Sequence, residues 1–175
     1  MERPFLLYVG DEVARKNLPR LLEAWTRSSA REDYELVVAG PVSAETLRGI
    51  PSVRRLGYVT DEDLERLYAS CEAFLYPTLY EGFGLPILEA MASGAAVLTS
   101  DTGASPEVAG GHAVTVNARE SDAILAGIDD VLQRTPTQRA AAREHAETFS
   151  WRRCALQTAA VHRAAIDREA LREGC

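Results

Sequence analysis

The sequence predicts an α/β domain built on a Rossmann-like, doubly wound parallel sheet. Short apolar runs alternate with amphipathic helical stretches along the whole chain. Those runs are continuous rather than alternating, as strands covered on both faces must be. Glycine-bearing turns fall where strand ends give way to helix starts, the edge at which such sheets hold ligands. The chain has 175 residues, 46% of them hydrophobic and 26% charged. That suits one domain with its own core and rules out a wholly disordered chain.

Phe5 to Val9 reads as the first buried strand. Leu18, Leu21, Leu22 and Trp25 then follow the i, i+3, i+4, i+7 template of a helix, with Asn17 as its expected N-cap and Pro19 tolerated in the first turn. Leu36 to Gly40 is the second strand, and a short helix is expected over 44–49. Val53 to Val59, with two arginines, predicts a strand nearer an edge. Thr60 caps a helix whose Leu64, Leu67, Tyr68 and Cys71 share a face. Ala73 to Tyr76 is a strand ending at Pro77, and a loop from Thr78 to Gly84 opens a helix from Leu85 to about Ser93, stopped by Gly94. Strands follow over 95–98 and 113–116. Ile124, Leu125, Ile128, Val131 and Leu132 mark another helix. Helices over 137–148 and 151–172 finish the chain, the last capped by Ser150.

The formal net charge is −7, with acidic and basic residues interspersed. That argues against general nucleic-acid or anionic-membrane binding and leaves room for a local basic spot. No apolar run approaches the length of a membrane span, and the five apolar residues after Pro4 are too few for a signal peptide. Cys71, Cys154 and Cys175 are widely spaced and odd in number, which fits reduced thiols in a cytoplasmic setting and neither a zinc site nor a disulfide framework.

Two loops can carry chemistry. The first runs Gly10-Asp11-Glu12-Val13-Ala14-Arg15-Lys16-Asn17, between a strand end and a helix start. Two cations beside a helix N-terminus favour an anion, with Lys16 as a point charge for a diphosphate. Taken alone, a solvated basic pair before a cap is the plainer reading. The next glycine after Gly10 is Gly40, so the G-x-G-x-x-G fingerprint of NAD or FAD binding is absent.

The second loop is Glu81-Gly82-Phe83-Gly84-Leu85-Pro86-Ile87-Leu88-Glu89-Ala90-Met91. Its glycines let backbone N–H groups approach a ligand, the helix start adds partial positive charge, and Pro86 gives up no needed hydrogen bond. The turn suits a phosphate or sugar hydroxyls. With Ile87, Leu88 and Met91 facing the core, Glu89 falls near the ligand side. A carboxylate repels a diphosphate, so Glu89 should meet paired hydroxyls such as those of a ribose. Glu81 can accept from a second polyol. Read singly, Glu89 is equally a dipole-compensating glutamate on a wet face and Glu81 a loop carboxylate.

Other residues carry less. Asp61-Glu62-Asp63 follows Thr60 at a helix start, where acid favours the dipole, so capping is preferred over metal-diphosphate binding. His112, His145 and His162 are scattered and read as surface histidines. Glu107, at another strand end, can approach the site or serve structure. No nucleophile elbow or zinc-protease motif occurs.

Glu81-Gly82-Phe83-Gly84 through Glu89-Ala90-Met91, then Gly94, resembles the E-x7-E motif of family-four retaining glycosyltransferases, glycosyl transferases group 1. Tyr8-Val9-Gly10 with Arg15-Lys16-Asn17 is similar to that family's phosphate loop. Leu56-Gly57-Tyr58-Val59 resembles the segment beside the nucleotide base. Pro106-Glu107-Val108 and Phe149-Ser150-Trp151 match in order. The resemblance implies the C-terminal, nucleotide-sugar-binding half of the B-type glycosyltransferase fold. It implies that Lys16, helped by Arg15 and the backbone at Gly10, neutralises the donor diphosphate. Tyr58 and Val59 contact the base through their backbone. Glu81, Gly82 and the amides of Phe83 and Gly84 hold the donor sugar, amides near Leu85 and Pro86 help with phosphate, and Glu89 binds ribose hydroxyls. Lys16 and Glu81 are the expected catalytic pair, with no metal or other cofactor. Where many members carry arginine directly after the first glycine, this chain has Asp11.

Such transferases need two Rossmann-like domains, and 175 residues provide one. The resemblance therefore implies a missing N-terminal acceptor domain, in cis or in trans, whether the chain is an excised domain, a truncated product or a subunit of a split enzyme. Any peripheral membrane contact would come through that half. The expectation is hexose transfer, with a lean to GDP-mannose, from a nucleoside-diphosphate sugar to a hydroxyl acceptor. The isolated chain should bind nucleotide with little or no turnover. The alternative is a non-catalytic nucleotide-sugar-binding or regulatory module. An interaction protein with a decayed site is less favoured, because Lys16, Glu81 and Glu89 are intact.

Overall fold

The structure, a computed structural model, describes residues 3–173. Cys175 lies outside the described residues. Six parallel strands run β1 (Phe5–Val9), β2 (Glu35–Ala39), β3 (Val53–Gly57), β4 (Ala73–Tyr76), β5 (Ala96–Ser100) and β6 (Val114–Val116). They form one sheet in the order β3-β2-β1-β4-β5-β6. The helices are α1 (Leu18–Arg27), α2 (Asp61–Ser70), α3 (Leu85–Ala92), α4 (Ser105–Ala109), α5 (Ser121–Leu132), α6 (Pro136–Glu147) and α7 (Trp151–Glu173).

The doubly wound reading holds in detail. On one face Leu7, Val37, Phe74 and Tyr76 pack with residues of α2, α3, α4 and α6. On the other, Leu6, Tyr8, Leu36, Val38 and Leu75 pack with α1 and α5. Strands buried on both faces read as near-continuous apolar runs, as β1 and β4 do, with the Tyr76 hydroxyl at the end of β4 finding partners. Trp25 of α1 has no exposed surface, and its indole N–H donates to Pro51 O at 3.0 Å. Truncating such a side chain costs about 3–5 kcal/mol. β3 lies at the edge, which lets its Arg54 and Arg55 reach outward.

Three local expectations are corrected. Residues 44–49 form successive turns, not a helix. Ser43 and Thr46 spend their hydroxyls on each other and on Glu12, and such side-chain bonds compete with a helical backbone. β3 stops at Gly57, which has φ +73°, so Tyr58 and Val59 lie beyond the strand. Asn17 is at the N-cap position of α1, yet it is left-handed (φ +57°) and its side chain caps nothing. Thr60 and Ser150 do cap as expected, accepting from Asp63 N and Arg153 N, both at 3.2 Å. Along α7, Trp151, Leu156, Val161 and Ile166 are exposed. Among the described residues no helix is long and apolar enough to cross a membrane.

Candidate functional site

In the order β3-β2-β1-β4-β5-β6 the chain reverses direction of travel between β1 and β4. The loops leaving neighbouring strands diverge there and open a crevice beyond the carboxyl ends. Both loops singled out in the sequence leave from this point, one after β1 and one after β4.

The crevice brings Arg15, Lys16 and Glu81 together across more than sixty residues of sequence. Glu81 Oε1 pairs with Arg15 Nη1 at 2.9 Å and with Lys16 Nζ at 2.9 Å. The Lys16 and Glu81 side chains are 13% and 11% exposed, whereas Arg15 is 48% exposed. The Lys16 pair is thus the shielded one, and the Arg15 pair is open to solvent and salt.

Tyr76, which the sequence reading left in the core, belongs to this cluster. Its hydroxyl donates to Glu81 Oε1 at 2.8 Å and accepts from Lys16 Nζ, which also lies 4.6 Å from the ring centroid. Burial, and then the neighbouring Glu81, push the Tyr76 phenol well above its ordinary range, so it stays protonated and able to donate. Tyr8 is placed similarly, one strand away. Its hydroxyl donates to the carbonyls of Asp11 at 3.2 Å and Lys16 at 3.4 Å, and burial raises it as well. A tyrosine at the last position of a buried strand is the signal that could have pointed to Tyr76.

Asn17 is the other missed residue. It is 2% exposed and donates through Nδ2 to Pro77 O at 2.9 Å and Ala118 O at 2.7 Å. Leu79 N donates to Arg15 O at 2.7 Å. The bonds with Pro77 and Leu79 stitch the loop after β1 to the loop after β4, and the bond to Ala118 ties it to the loop after β6; together they set where Lys16 stands relative to Glu81. Gly10 lies at the root of the first loop, its N–H donating to Ala39 O at 3.0 Å. Asp11 turns its carboxylate onto its own loop, accepting from Val13 N at 3.2 Å.

Gly84 is left-handed (φ +96°) and starts α3, with Pro86 in the first turn. The amides of Gly82, Phe83, Gly84 and Leu85 make no intramolecular hydrogen bond among the described residues. They form a row of donors at the positive end of a helix. Phe83 is 48% exposed and Leu85 42%.

Glu89 does not join the cationic cluster. The residue is exposed, one turn inside α3, and Oε2 accepts from the Tyr68 hydroxyl at 3.3 Å. Partial desolvation of its carboxyl raises its pKa above the ordinary carboxylate range, with Tyr68 opposing the shift and Asp61 adding to it. Tyr58 is 85% exposed and touches none of the cluster. Val59 lines a groove of about 600 Å³ with Phe5, Leu56, Asp63 and Arg66, along α2 and apart from Lys16 and Glu81.

Glu107 is exposed on α4 without an ion pair among the described residues. The histidines depart from expectation. His112 and His145 are half-buried and stacked at 4.8 Å because α6 packs against the α3–α4 face. His145 lies 2.9 Å from Val108 O and meets Phe149, which in turn meets Phe83. Of the three, only His162 is exposed. Among the described residues no group of three or more His, Cys, Asp or Glu could hold a metal.

Residues 3–134 match the family model described as glycosyl transferases group 1. The chain belongs to that family. It is 39% identical over 170 residues to the O-antigen chain mannosyltransferase B of Escherichia coli, covering 88% of this chain and 44% of that protein. It is 36% identical over 174 residues to the MMP alpha-(1->4)-mannosyltransferase of Mycolicibacterium hassiacum, covering 91% and 42%. Among solved structures, the sucrose-phosphate synthase of Thermosynechococcus elongatus superposes with a TM-score of 0.78 at 24% identity, over 95% of this chain and 46% of that one. WaaG, a glycosyltransferase involved in lipopolysaccharide biosynthesis, gives 0.69 at 22% identity, over 83% and 42%. These structures share the B-type glycosyltransferase architecture with this sheet. The chain spans less than half the length of the relatives it matches.

Proposed function

We propose that this chain is the donor-binding domain of a retaining hexosyltransferase that takes its sugar from a nucleoside diphosphate. The observation that carries the reading is the convergence of Arg15 and Lys16 at the strand-order reversal, beside the unpaired amides of 82–85. Cations and oriented N–H dipoles placed where a diphosphate gathers negative charge as it departs are what such a transfer needs. In this reading Lys16 and Arg15 stabilise the leaving group, with Gly10 letting the loop backbone come close. Glu81 and the amides of Gly82, Phe83 and Gly84 position the sugar. The Leu85 amide assists the phosphate, with Pro86 fixing the first turn of α3 beside it. Glu89 accepts from ribose hydroxyls, and the backbone of Tyr58 and Val59 meets the base. The cations take the part a metal plays elsewhere.

The mannosyltransferase names of two relatives favour mannose as the sugar, and GDP-mannose is the donor we infer. The acceptor, a hydroxyl compound, would bind a second domain supplied in cis or in trans. The 175-residue chain should bind nucleotide and turn over little or nothing by itself. A second reading, a non-catalytic nucleotide-sugar-binding or regulatory module, would use the same Arg15–Lys16 crevice without transfer.

Calorimetric titration with GDP, UDP and ADP tests the donor site. Saturable binding of one of them, weakened by Glu89→Ala, is expected. A folded chain that binds none overturns the reading. Robust transfer by the purified chain alone would overturn the claim that a second domain is required, and binding without turnover even when an acceptor domain is added would favour the second reading.

A further inference from the structure

A single atom, Glu81 Oε1, accepts from three donors: Arg15 Nη1 and Lys16 Nζ, each at 2.9 Å, and the Tyr76 hydroxyl at 2.8 Å. The cations that a donor diphosphate would need therefore already serve a carboxylate. Tyr76 keeps a hold on Lys16 that does not depend on Glu81. Its hydroxyl accepts from the ammonium, and the ring behind it is fully buried and stacked on Phe74 at 5.2 Å. Lys16 stays in place while its anionic partner changes.

We propose that Glu81 is the residue by which the site distinguishes an intact sugar nucleotide from a bare nucleoside diphosphate, acting as an internal competitor for Arg15 and Lys16. The inference rests on the donor-site reading above. A bare diphosphate must take over the hydrogen bonds that the two cations give Glu81. That leaves a largely buried carboxylate beside new negative charge, short of partners, and an unsatisfied buried acceptor is costly. An intact donor offers the displaced carboxylate hydroxyl groups from its sugar, so the loss is made good. Specificity is a difference of two affinities, and here a repulsive element lowers one of them. After transfer the sugar hydroxyls are gone, Glu81 recovers Lys16, and the nucleoside diphosphate is expelled.

The test is calorimetric titration of the whole chain and of Glu81→Gln with GDP, UDP, GDP-mannose, UDP-glucose and inorganic pyrophosphate. Thermal melts establish that both proteins fold. Glutamine keeps the size and one acceptor and removes the charge. The variant should bind the preferred bare diphosphate and pyrophosphate roughly fivefold more tightly, the change that about 1 kcal/mol produces. It should bind the matching sugar nucleotide more weakly than the wild type does. Adding Lys16→Met to Glu81→Gln should remove the gain.

Bare diphosphate that binds the variant no more tightly than the wild type overturns the competitor role and leaves the donor site standing. A gain that survives Lys16→Met overturns it too, since the contact would not be its source. Failure of every nucleotide to bind either protein overturns the donor-site reading and this inference together.

Discussion

Glu81 and Glu89 belong to one stretch of eleven residues, yet the fold treats them in opposite ways. Glu81 is 11% exposed at its side chain and faces two cations and a phenol. Its partners come from the loop after β1 and the end of β4. Glu89 sits on an exposed position of α3 with one neutral partner, Tyr68 of α2. The first is a charge balanced by long-range architecture. The second is a charge resisted by partial desolvation and eased by one hydrogen bond. Chemical type and spacing make the two glutamates look like a pair. The strand order separates them, because Glu81 is on the loop that leaves β4 at the reversal whereas Glu89 is on the helix that follows it.

If Glu81 depends on long-range architecture, disturbing the roots of the β1 loop should affect it and spare Glu89. Gly40→Ala is the strongest such disturbance. Gly40 has φ +122°, and a Cβ there would lie 2.0 Å from Gly10 O, which is backbone and cannot yield cheaply. The loss should exceed about 3 kcal/mol, a fall in melting temperature of roughly 10 °C for a chain of this size. In what remains folded, carboxyl NMR should show the Glu81 resonance displaced and that of Glu89 unmoved. An unchanged melting temperature, or equal displacement of both signals, would break the comparison.

Asn17→Gly acts on the same side more gently. Glycine accepts the left-handed backbone freely, so the variant isolates the two bonds to Pro77 O and Ala118 O. Leaving those carbonyls without their donor should cost about 2 kcal/mol, read by urea unfolding. Nucleotide binding should weaken with it, because the Arg15–Lys16 segment is no longer pinned. Binding at full strength in a destabilised Asn17→Gly would show that Leu79 N and Tyr8 suffice to place Lys16.

The contrast between the two glutamates also marks what the sequence can and cannot disclose. Phe5–Val9 and Ala73–Tyr76 are legible to the residue, since each is a near-continuous apolar run whose ends are set by Pro4, Gly10 and Pro77. The loops were recognisable as sites from their glycines and charges. Their assembly was not. Nothing local in Asn17 shows that its amide will reach Pro77 O and Ala118 O rather than cap α1, because that depends on the loops after β1, β4 and β6 meeting at the sheet's edge. Tyr76 was hidden by its apolar neighbours, although a phenol at a strand end is a polar group in need of a partner. His112 and His145 looked scattered because α6 brings together residues far apart in sequence. The turns over 44–49 were misread because Ser43 and Thr46 bond to Glu12, on another loop, and propensity carries no trace of that.

The smallest predicted effect probes Glu89 by its titration. Its folded pKa is raised, so the native state holds the proton more firmly than the unfolded chain does. Its contribution to stability is complete at pH values below the ordinary carboxylate pKa of 4.5 and is lost as pH rises through the raised value. At neutral pH the charged Glu89 therefore costs stability, and Glu89→Gln should raise the melting temperature slightly at pH 7 and leave it unchanged at pH 4. Tyr68→Phe removes the one hydrogen bond that favours the charged form, with the ring still in the core against Phe74 at 5.2 Å. It should move the Glu89 carboxyl titration further up. A downward shift in Tyr68→Phe, or a Glu89→Gln gain that persists at pH 4, would mean that desolvation does not govern this carboxylate. The two glutamates would then differ in partners alone.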